Sequence, residues 1–169
     1  MNRCVIRKST EQDIDAMLEL FRQAKQIMRS DGNMHQWTGN YPSADVIRAD
    51  IGRDSSYVIC NEQGQVIGTF AFIVGPDPTY SYIEGGQWLD DSRTYGTIHR
   101  LASGPQSHGI ARECFDWCWD RVPNLRVDTH ADNRIMQHCI QRAGFTYCGI
   151  IYIADGTPRL AYQKCSLDN

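Results

Sequence analysis

The residues at 97–111 read Thr-Ile-His-Arg-Leu-Ala-Ser-Gly-Pro-Gln-Ser-His-Gly-Ile-Ala, and they are the most informative part of the sequence. In the first half, Ile98, Arg100 and Ala102 alternate with Thr97, His99 and Leu101 at a period of two, which predicts a strand that ends at Gly104-Pro105. From Ile110 onward apolar residues recur at spacings of three and four, which predicts a helix with one apolar face. A helix start presents unpaired N–H groups and partial positive charge, and the small residue Gly109 leaves room beside it. The stretch therefore predicts a strand–turn–helix unit that can bind an anion such as a phosphate.

The sequence on either side of this unit predicts an alternation of strands and helices. Short β-branched or alternating runs predict strands at 4–7, 57–60, 66–73, 125–130, 147–153 and 160–164. Capping residues and terminal glycines predict helices at about 9–32, 43–52 and 133–144. The turn residues at 61–64 join two strands as a hairpin. This order predicts a mixed, mostly antiparallel, twisted α/β sheet of about six or seven strands with helices on both faces.

Length and composition narrow the class of protein. At 169 residues the chain is expected to form one domain over 1–169. Its net charge of −3 and the scatter of its Lys and Arg residues argue against a nucleic-acid-binding surface. The longest apolar run is far shorter than the roughly 18 residues that cross a bilayer, and the first residues lack the apolar core of a signal peptide. A cytoplasmic protein without membrane contact is therefore expected.

The seven cysteines are an odd number scattered through predicted strands and helices, so reduced thiols are expected. Cys114 and Cys118 lie one helical turn apart, but they share their face with Phe115 and lack a second ligand pair at zinc spacing. The sequence therefore predicts core packing for these two residues and no metal site. For Cys139 two alternatives stay open, a buried bystander and a reactive thiol.

Residues Gln106-Ser-His-Gly-Ile-Ala111 fit the pattern Gln/Arg-x-x-Gly-x-Gly/Ala, which resembles the pyrophosphate loop of the GNAT superfamily of acyl-CoA-dependent N-acetyltransferases. Downstream, the run from Asn133 to Gly144-Phe145 resembles the family's Asn-led helix. Upstream, the residues at 7–13 resemble its first strand and capped helix. The resemblance spans nearly the whole chain with its order intact. It implies a single acetyltransferase-like domain, with a GNAT-like fold in which the central strands splay apart.

The resemblance also implies where acetyl-CoA would bind as a co-substrate. Main-chain groups of Leu101 and Ser103 would hold the pantetheine arm, and Asn133 would contact the cofactor on the far side of the splay. The pyrophosphate would rest on the loop after the central strand, formed by Gln106, Ser107, His108, Gly109, Ile110 and Ala111. His108 stands where an Arg is more usual, and it can still bind phosphate, more weakly when neutral.

The implied reaction is direct transfer of an acetyl group from acetyl-CoA to a primary amine of a small molecule or a peptide. Such a transfer needs a base for the ammonium proton and an acid for the leaving thiolate. Many family members have a Tyr acid where this chain has Ile140, so water or Tyr147 would have to supply that proton. A second interpretation is therefore a non-catalytic acyl-CoA-binding or sensor protein of the same fold. The sequence also leaves monomer and homodimer open.

The candidates for the base and for the acceptor pocket come from three regions. His99 is the first candidate for the base, because it lies on the central strand two residues before Leu101 and imidazole ordinarily titrates near neutrality. A structural role is its alternative. Glu84 is the second candidate, or a group that binds the incoming ammonium, and its alternative is a solvated surface carboxylate. The predicted acceptor pocket is lined by Trp37, Glu84 and Trp88, since aromatic faces and a carboxylate attract a cation. The alternative is that both rings pack loops against the sheet.

Overall fold

The computed structural model describes residues 3–166, which form a seven-stranded sheet and four α-helices. The strands are β1 (Val5–Lys8), β2 (Ser56–Cys60), β3 (Val66–Val74), β4 (Gly96–Ser103), β5 (Asn124–Thr129), β6 (Thr146–Tyr152) and β7 (Pro158–Cys165). The helices are α1 (Ile14–Ser30), α2 (Ala44–Gly52), α3 (Ile110–Arg121) and α4 (Arg134–Arg142). The strand order is β1-β2-β3-β4-β5-β7-β6, with β4 and β5 parallel and antiparallel pairs β1/β2, β2/β3, β5/β7 and β6/β7. The predicted mixed, mostly antiparallel α/β sheet is confirmed.

The helices begin where the sequence provides capping side chains. The Ser43 hydroxyl accepts a hydrogen bond from the amide of Val46 (3.3 Å) at the start of α2. A short 3-10 turn at Glu11–Asp13 precedes α1, and the Asp13 carboxylate accepts from the amide of Thr10 (2.8 Å). Within residues 3–166, no helix is both long and apolar enough to cross a membrane.

The chain divides into two compact units. The first comprises the residues up to Phe72 together with His99–Cys114. The second comprises Ile73–Ile98 and the residues from Phe115 onward. Because β3 and β4 each contribute residues to both units, the division falls within strands of the sheet. The prediction of one domain over 1–169 stays a prediction.

In the first unit, α1 and α2 cover one face of the strands. The apolar residues of α1 recur at helical spacing and point to the sheet, which buries them. The core on this face consists of Ile14, Met17, Leu20, Phe21, Ile47, Val58, Cys60 and Ala102. A bidentate ion pair between Arg7 and Asp13 (2.8 and 2.9 Å) fixes β1 to the start of α1. The hydrogen bonds from Arg7, followed by those from Thr10, hold the pKa of Asp13 below its usual value.

The first residue of α3 lies on the opposite face of the same unit. A Cβ atom at Gly68 of β3 would come within 2.7 Å of Ile110 Cγ2 and 3.3 Å of Ile59 Cδ1. The absence of a side chain at Gly68 therefore lets Ile110 pack closely on the strands. Helices thus cover both faces in this unit, as the sequence predicts. The contact of Ile110 with the strands holds the first residue of α3 in place.

In the second unit, β5, β7 and β6 pair antiparallel, and Phe115 of α3 packs against Phe145, which lies between α4 and β6, with ring centroids 5.2 Å apart. A separate aromatic core lies under the segment between β3 and β4. It consists of Tyr80, Trp88, Tyr95, Cys148, Ile151 and Ala161. β4 pairs with β5 at Gly96↔Leu125 and Thr97↔Arg126. The predicted splay beyond these pairs stays a prediction.

Candidate active site

The turn between β4 and α3 in the first unit is held from two sides. The amide of Gly104 donates to the carbonyl of Ile67 on β3 (3.0 Å), and the amide of Ser107 donates back to the carbonyl of Gly104 (3.1 Å). A Cβ atom at Gly104 would lie 3.8 Å from Leu20 Cδ2, so α1 packs beneath the start of the turn. The turn is therefore fixed at its base. The residues that follow, Gln106, His108 and Gly109, are exposed.

Gly109 completes the turn in a conformation that suits glycine. Its φ of +74° lies in the left-handed region, and a Cβ atom there would meet nothing within 4 Å. The first main-chain bond of α3 runs from the amide of Glu113 to the carbonyl of Gly109 (3.0 Å). The amides of Ile110 and Ala111 therefore precede Glu113, whose amide donates this bond, as the first amides do at any helix start. Open space, helix amides and the helix dipole meet at this point, which suits an anionic ligand.

The geometry refines the set of amides predicted to hold a phosphate. The Ser107 amide is already used inside the turn, whereas the amides of Ile110 and Ala111 lie at the helix start. The side chain of Ile110 is buried against the strands, so only its main chain can face a ligand. His108 is exposed in the same turn. The phosphate-binding role of the whole loop stays a prediction.

Strand β4 carries the other predicted residues of this unit, and one residue within it has an unusual backbone conformation. His99, Leu101 and Ser103 are half-buried. Arg100, between the first two, has a φ of +53°, which non-glycine residues rarely adopt. Its guanidinium forms an ion pair with Asp50 of α2 and donates to the Tyr41 hydroxyl. Arg100 is not among the site residues predicted from the sequence. The signal that could have found it is its charge, because Arg100 shares a strand face with Ala102, which is buried in the core.

The loop that precedes α2 is held by cations from α1. Arg29 donates to the carbonyl oxygens of Asn33 (2.9 Å) and Trp37 (3.1 Å), and Lys25 donates to that of Gly39 (2.9 Å). Burial, and then the charge of Arg29, lowers the pKa of Lys25. The Trp37 residue has a φ of +54°, and its half-buried ring stands edge-on to Phe21 with centroids 5.5 Å apart. Trp37 therefore both packs on the core and keeps part of its ring accessible.

Trp88, in the second unit, lies inside the aromatic core. Its side chain is 8% exposed, and its indole N–H donates to the carbonyl of Tyr80 (3.0 Å). The Arg126 guanidinium stacks over its ring at 4.0 Å and over the Tyr95 ring at 3.8 Å. These contacts favour the packing alternative for Trp88. Its role in an acceptor pocket stays a prediction.

Glu84 lies at the surface of the second unit, beside the edge strand β6. Its main chain exchanges two hydrogen bonds with Ile150 (2.8 and 2.9 Å), so the segment adds a short bridge to the sheet. Its exposed carboxylate accepts a hydrogen bond from the Tyr152 hydroxyl, and this bond raises the pKa of Tyr152. The ring of Tyr82 stacks on that of Tyr152 at 6.5 Å. The proposed base or ammonium-binding group is thus an exposed carboxylate with a tyrosine partner.

The residues near α4 occupy distinct environments. Asn133 is buried and caps α4, because its side-chain oxygen accepts from the amide of Met136 (3.0 Å). Ile140 is 1% exposed, so the position of the family's Tyr is part of the core here. Burial raises the pKa of the half-buried Cys139 thiol, which disfavours the reactive alternative. Tyr147 is exposed on β6.

The structure therefore distributes the predicted residues over both units. The loop residues, His99, Leu101, Ser103 and Trp37 belong to the first unit, and Glu84, Trp88 and Asn133 belong to the second. Across residues 3–166, no cluster of three or more His, Cys, Asp or Glu side chains is arranged to hold a metal ion.

The family described as "Acetyltransferase (GNAT) domain" matches residues 3–146. A GNAT-family acetyltransferase from Streptococcus agalactiae is 32% identical, with a TM-score of 0.88, over 98% of this chain and 96% of that one. The protein therefore belongs to the GNAT acetyltransferase family.

More distant structures share the fold alone. A GNAT-family acetyltransferase from Listeria monocytogenes is 16% identical, with a TM-score of 0.69, over 95% of this chain and 94% of that one. The NatC complex, crystallised with a Gag peptide and CoA, contains a chain that is 14% identical, with a TM-score of 0.65, over 97% and 99% of the two chains. No curated protein sequence matches this chain.

Proposed function

We propose that this protein is an N-acetyltransferase that moves an acetyl group from acetyl-CoA to a primary amine of a small molecule or a peptide. The observation that carries the proposal is the turn before α3, where Gly109 has a φ of +74° and open space beside the helix start. Backbone amides at a helix start bind phosphate groups, and CoA carries a pyrophosphate. Membership of the GNAT family supports the same donor.

The proposed binding of acetyl-CoA uses main-chain groups more than side chains. The amides of Gly109, Ile110 and Ala111 hold the pyrophosphate, with Gln106 and His108 exposed beside it. The main chain of Leu101 and Ser103 holds the pantetheine arm, and Asn133 contacts the cofactor as well as capping α4. Such contacts fix the thioester, so that transfer gains from orientation.

The proposed reaction is attack of the free amine on the thioester carbon. A base removes the ammonium proton, the amine nitrogen attacks and loses a second proton to water as the amide bond forms, and the carbon–sulfur bond breaks to release CoA thiolate. We assign the base to His99, which is half-buried on β4 next to Arg100, the residue with a φ of +53°. Because Ile140 is buried in the core, the thiolate takes its proton from water or from the exposed Tyr147.

A non-catalytic acyl-CoA-binding or sensor protein is the second candidate function. The observation that favours it is the same burial of Ile140, since the position that often carries the acid in this family has no titratable group. Both candidates require CoA binding, and only the enzyme requires an acceptor and turnover.

The first experiment incubates the protein with acetyl-CoA and a panel of primary amines while the free thiol is measured. Turnover with at least one amine is the expected result. Tight CoA binding without turnover on any amine would favour the sensor, and the absence of CoA binding would contradict both candidates.

The binding loop is tested by calorimetric titration of CoA into Gly109→Glu, with Gly109→Ala as the matched control. Both variants place an L side chain at a φ of +74°, but only Glu adds a carboxylate in the path of the pyrophosphate. We expect Glu to weaken binding by well over tenfold, about 1.4 kcal/mol or more, and Ala to weaken it less. Unchanged affinity in folded Gly109→Glu would exclude this loop.

A further inference from the structure

Arg100 combines two features that each require support from the surrounding structure. Its backbone has a φ of +53° within β4, a conformation that persists in a non-glycine residue only when neighbouring contacts hold it. Its side chain is 14% exposed, although a guanidinium ordinarily stays in water. Both features fall on the residue between His99 and Leu101, which the proposed function assigns to the base and to the acyl-CoA arm.

The side chain of Arg100 joins three elements of the first unit. Its Nε and Nη2 atoms donate to Oδ2 of Asp50 on α2 at 3.0 and 2.5 Å, and the Asp50 side chain is only 6% exposed. Its Nη1 atom donates to the hydroxyl of Tyr41 in the loop before α2 (3.1 Å). Burial opposes the charge, but Tyr41 and Asp50 raise the pKa of Arg100 above its usual value. The guanidinium therefore stays charged and anchored.

Fold stability alone does not account for a buried ion pair at this position. A buried ion pair loses hydration on both sides, and apolar side chains of similar volume are often as good or better for stability. What an ion pair adds is geometry, because a guanidinium and a carboxylate fix each other's position and direction. Here the ion-paired residue, Arg100, is also the one residue with a left-handed backbone among those described at 96–103 of β4.

We propose that Arg100 and Asp50 act as a positioning pair for acetyl transfer. The pair holds Arg100 in the left-handed conformation and thereby sets the directions of the peptide groups that link it to His99 and Leu101. This inference rests on the proposed function, because those two neighbours are the residues assigned to the base and the acyl-CoA arm. Arg100 and Asp50 act through the main chain of β4 and contact neither substrate.

The test compares Arg100→Gly with Arg100→Ala. Both variants lose the ion pair, but glycine adopts a positive φ without steric cost and alanine does not. A residue that acts by holding the backbone should therefore be replaced better by glycine. We expect kcat with acetyl-CoA to fall by about a hundredfold in Arg100→Ala, as for a small misplacement of reacting groups, and clearly less in Arg100→Gly. Arg100→Lys, which keeps the charge but loses the fork, should fall between wild type and Ala.

Asp50→Asn tests the other half of the pair, and Asp13→Asn is its matched control. Both substitutions keep the shape of the side chain. Asp13 also pairs with an arginine in the first unit, but its partner Arg7 ties β1 to α1. We expect both variants to have lowered melting temperatures, while only Asp50→Asn lowers kcat. A KM for the acceptor that stays within a few fold in Asp50→Asn would separate positioning from lost acceptor binding.

The outcomes separate this inference from the function on which it rests. Wild-type protein that binds no CoA would overturn the proposed function and this inference with it. Active wild type with folded Arg100 variants of unchanged kcat would overturn the inference alone. Equal losses in Arg100→Gly and Arg100→Ala would also overturn it, since they would place the role in the side chain and not in the backbone it holds.

Discussion

Trp37 and Trp88 come from the two segments that the sequence assigned to one acceptor pocket, yet their surroundings differ. Trp37 is half-buried, with its main chain held by Arg29 and its ring edge-on to Phe21. Trp88 is a core residue, with Arg126 stacked on its face and its N–H bonded. The same residue type in similar aperiodic segments thus has an accessible setting in one unit and a buried one in the other. Trp88 differs because Arg126, which is distant in the sequence, covers its ring.

The two candidate bases differ in a parallel way. His99 is half-buried within β4, one residue from the ion-paired Arg100. Glu84 is exposed beside β6, and its carboxylate is engaged by Tyr152. A base buried in part and held by a strand has a fixed direction, whereas an exposed carboxylate is screened by water. We therefore assign the larger functional effects to the first unit and the larger stability effect to Trp88.

The largest expected effect is the loss of stability in Trp88→Ala. Removing a buried ring leaves a cavity and strips Arg126 of one stacking face, so the free energy of unfolding should fall by about 3–5 kcal/mol. Urea denaturation measures it. Trp88→Phe should retain much of the stability. A rise in the acceptor KM without loss of stability would instead support the pocket role.

His99→Ala should lower turnover by about a hundredfold, or about 2.7 kcal/mol of transition-state stabilisation, with CoA affinity nearly unchanged. The reason is that loss of a general base affects the chemical step and leaves the donor's contacts in place. Steady-state kinetics and CoA titration check the two parts. His138→Ala, at an exposed position on α4, is the control. Unchanged turnover would transfer the role to Glu84 or to water.

Much of the fold was predictable because it depends on local patterns. Period-two runs gave the strands, capping residues gave the helix starts, and Gly109 gave the turn before α3. Ile110, the first residue of α3, also packs closely on Gly68 of β3. This contact could not be predicted locally, because it exists only after the helix has packed on the strands. Local signals therefore predict elements and their order.

The environment of the candidate site was less predictable, because it depends on residues far apart in the chain. Arg100 meets Asp50 at a separation of 50 residues, and no local pattern pairs them or predicts a positive φ in a strand. In the sequence Arg126 is only a charged residue in a predicted strand, and nothing near it predicts its stacking on the rings of Trp88 and Tyr95. Composition could not separate an accessible Trp from a buried one.

Trp37→Ala tests the accessible side of the comparison. Loss of the exposed part of its ring should raise the acceptor KM by about tenfold, which corresponds to a cation–π contribution of about 1–2 kcal/mol, while the KM for acetyl-CoA stays constant. Trp37→Phe, which keeps an aromatic face, should have an acceptor KM between those of wild type and Trp37→Ala. A joint rise of both constants with a lowered melting temperature would show that the ring only packs the loop against α1.

Glu84→Gln should have the smallest effect, because an exposed carboxylate that only binds a tyrosine hydroxyl is screened by water. We expect turnover to stay within about twofold of wild type, since Gln keeps the size and the hydrogen-bonding capacity of the side chain. The variant should show one other change. Glu84 raises the pKa of Tyr152, so that pKa should fall toward its ordinary value in Glu84→Gln.

The direction of this pKa shift also fixes the pH range in which the contact contributes to stability. A tyrosine whose pKa is raised on folding contributes stability below its unfolded pKa, near 10, and loses that contribution as the pH rises through the folded value. Ultraviolet titration of wild type and Glu84→Gln, each with Tyr152→Phe as the background, isolates the ionisation of this one phenol. A large loss of turnover in Glu84→Gln, with that titration unchanged, would contradict our assignment and make Glu84 the base.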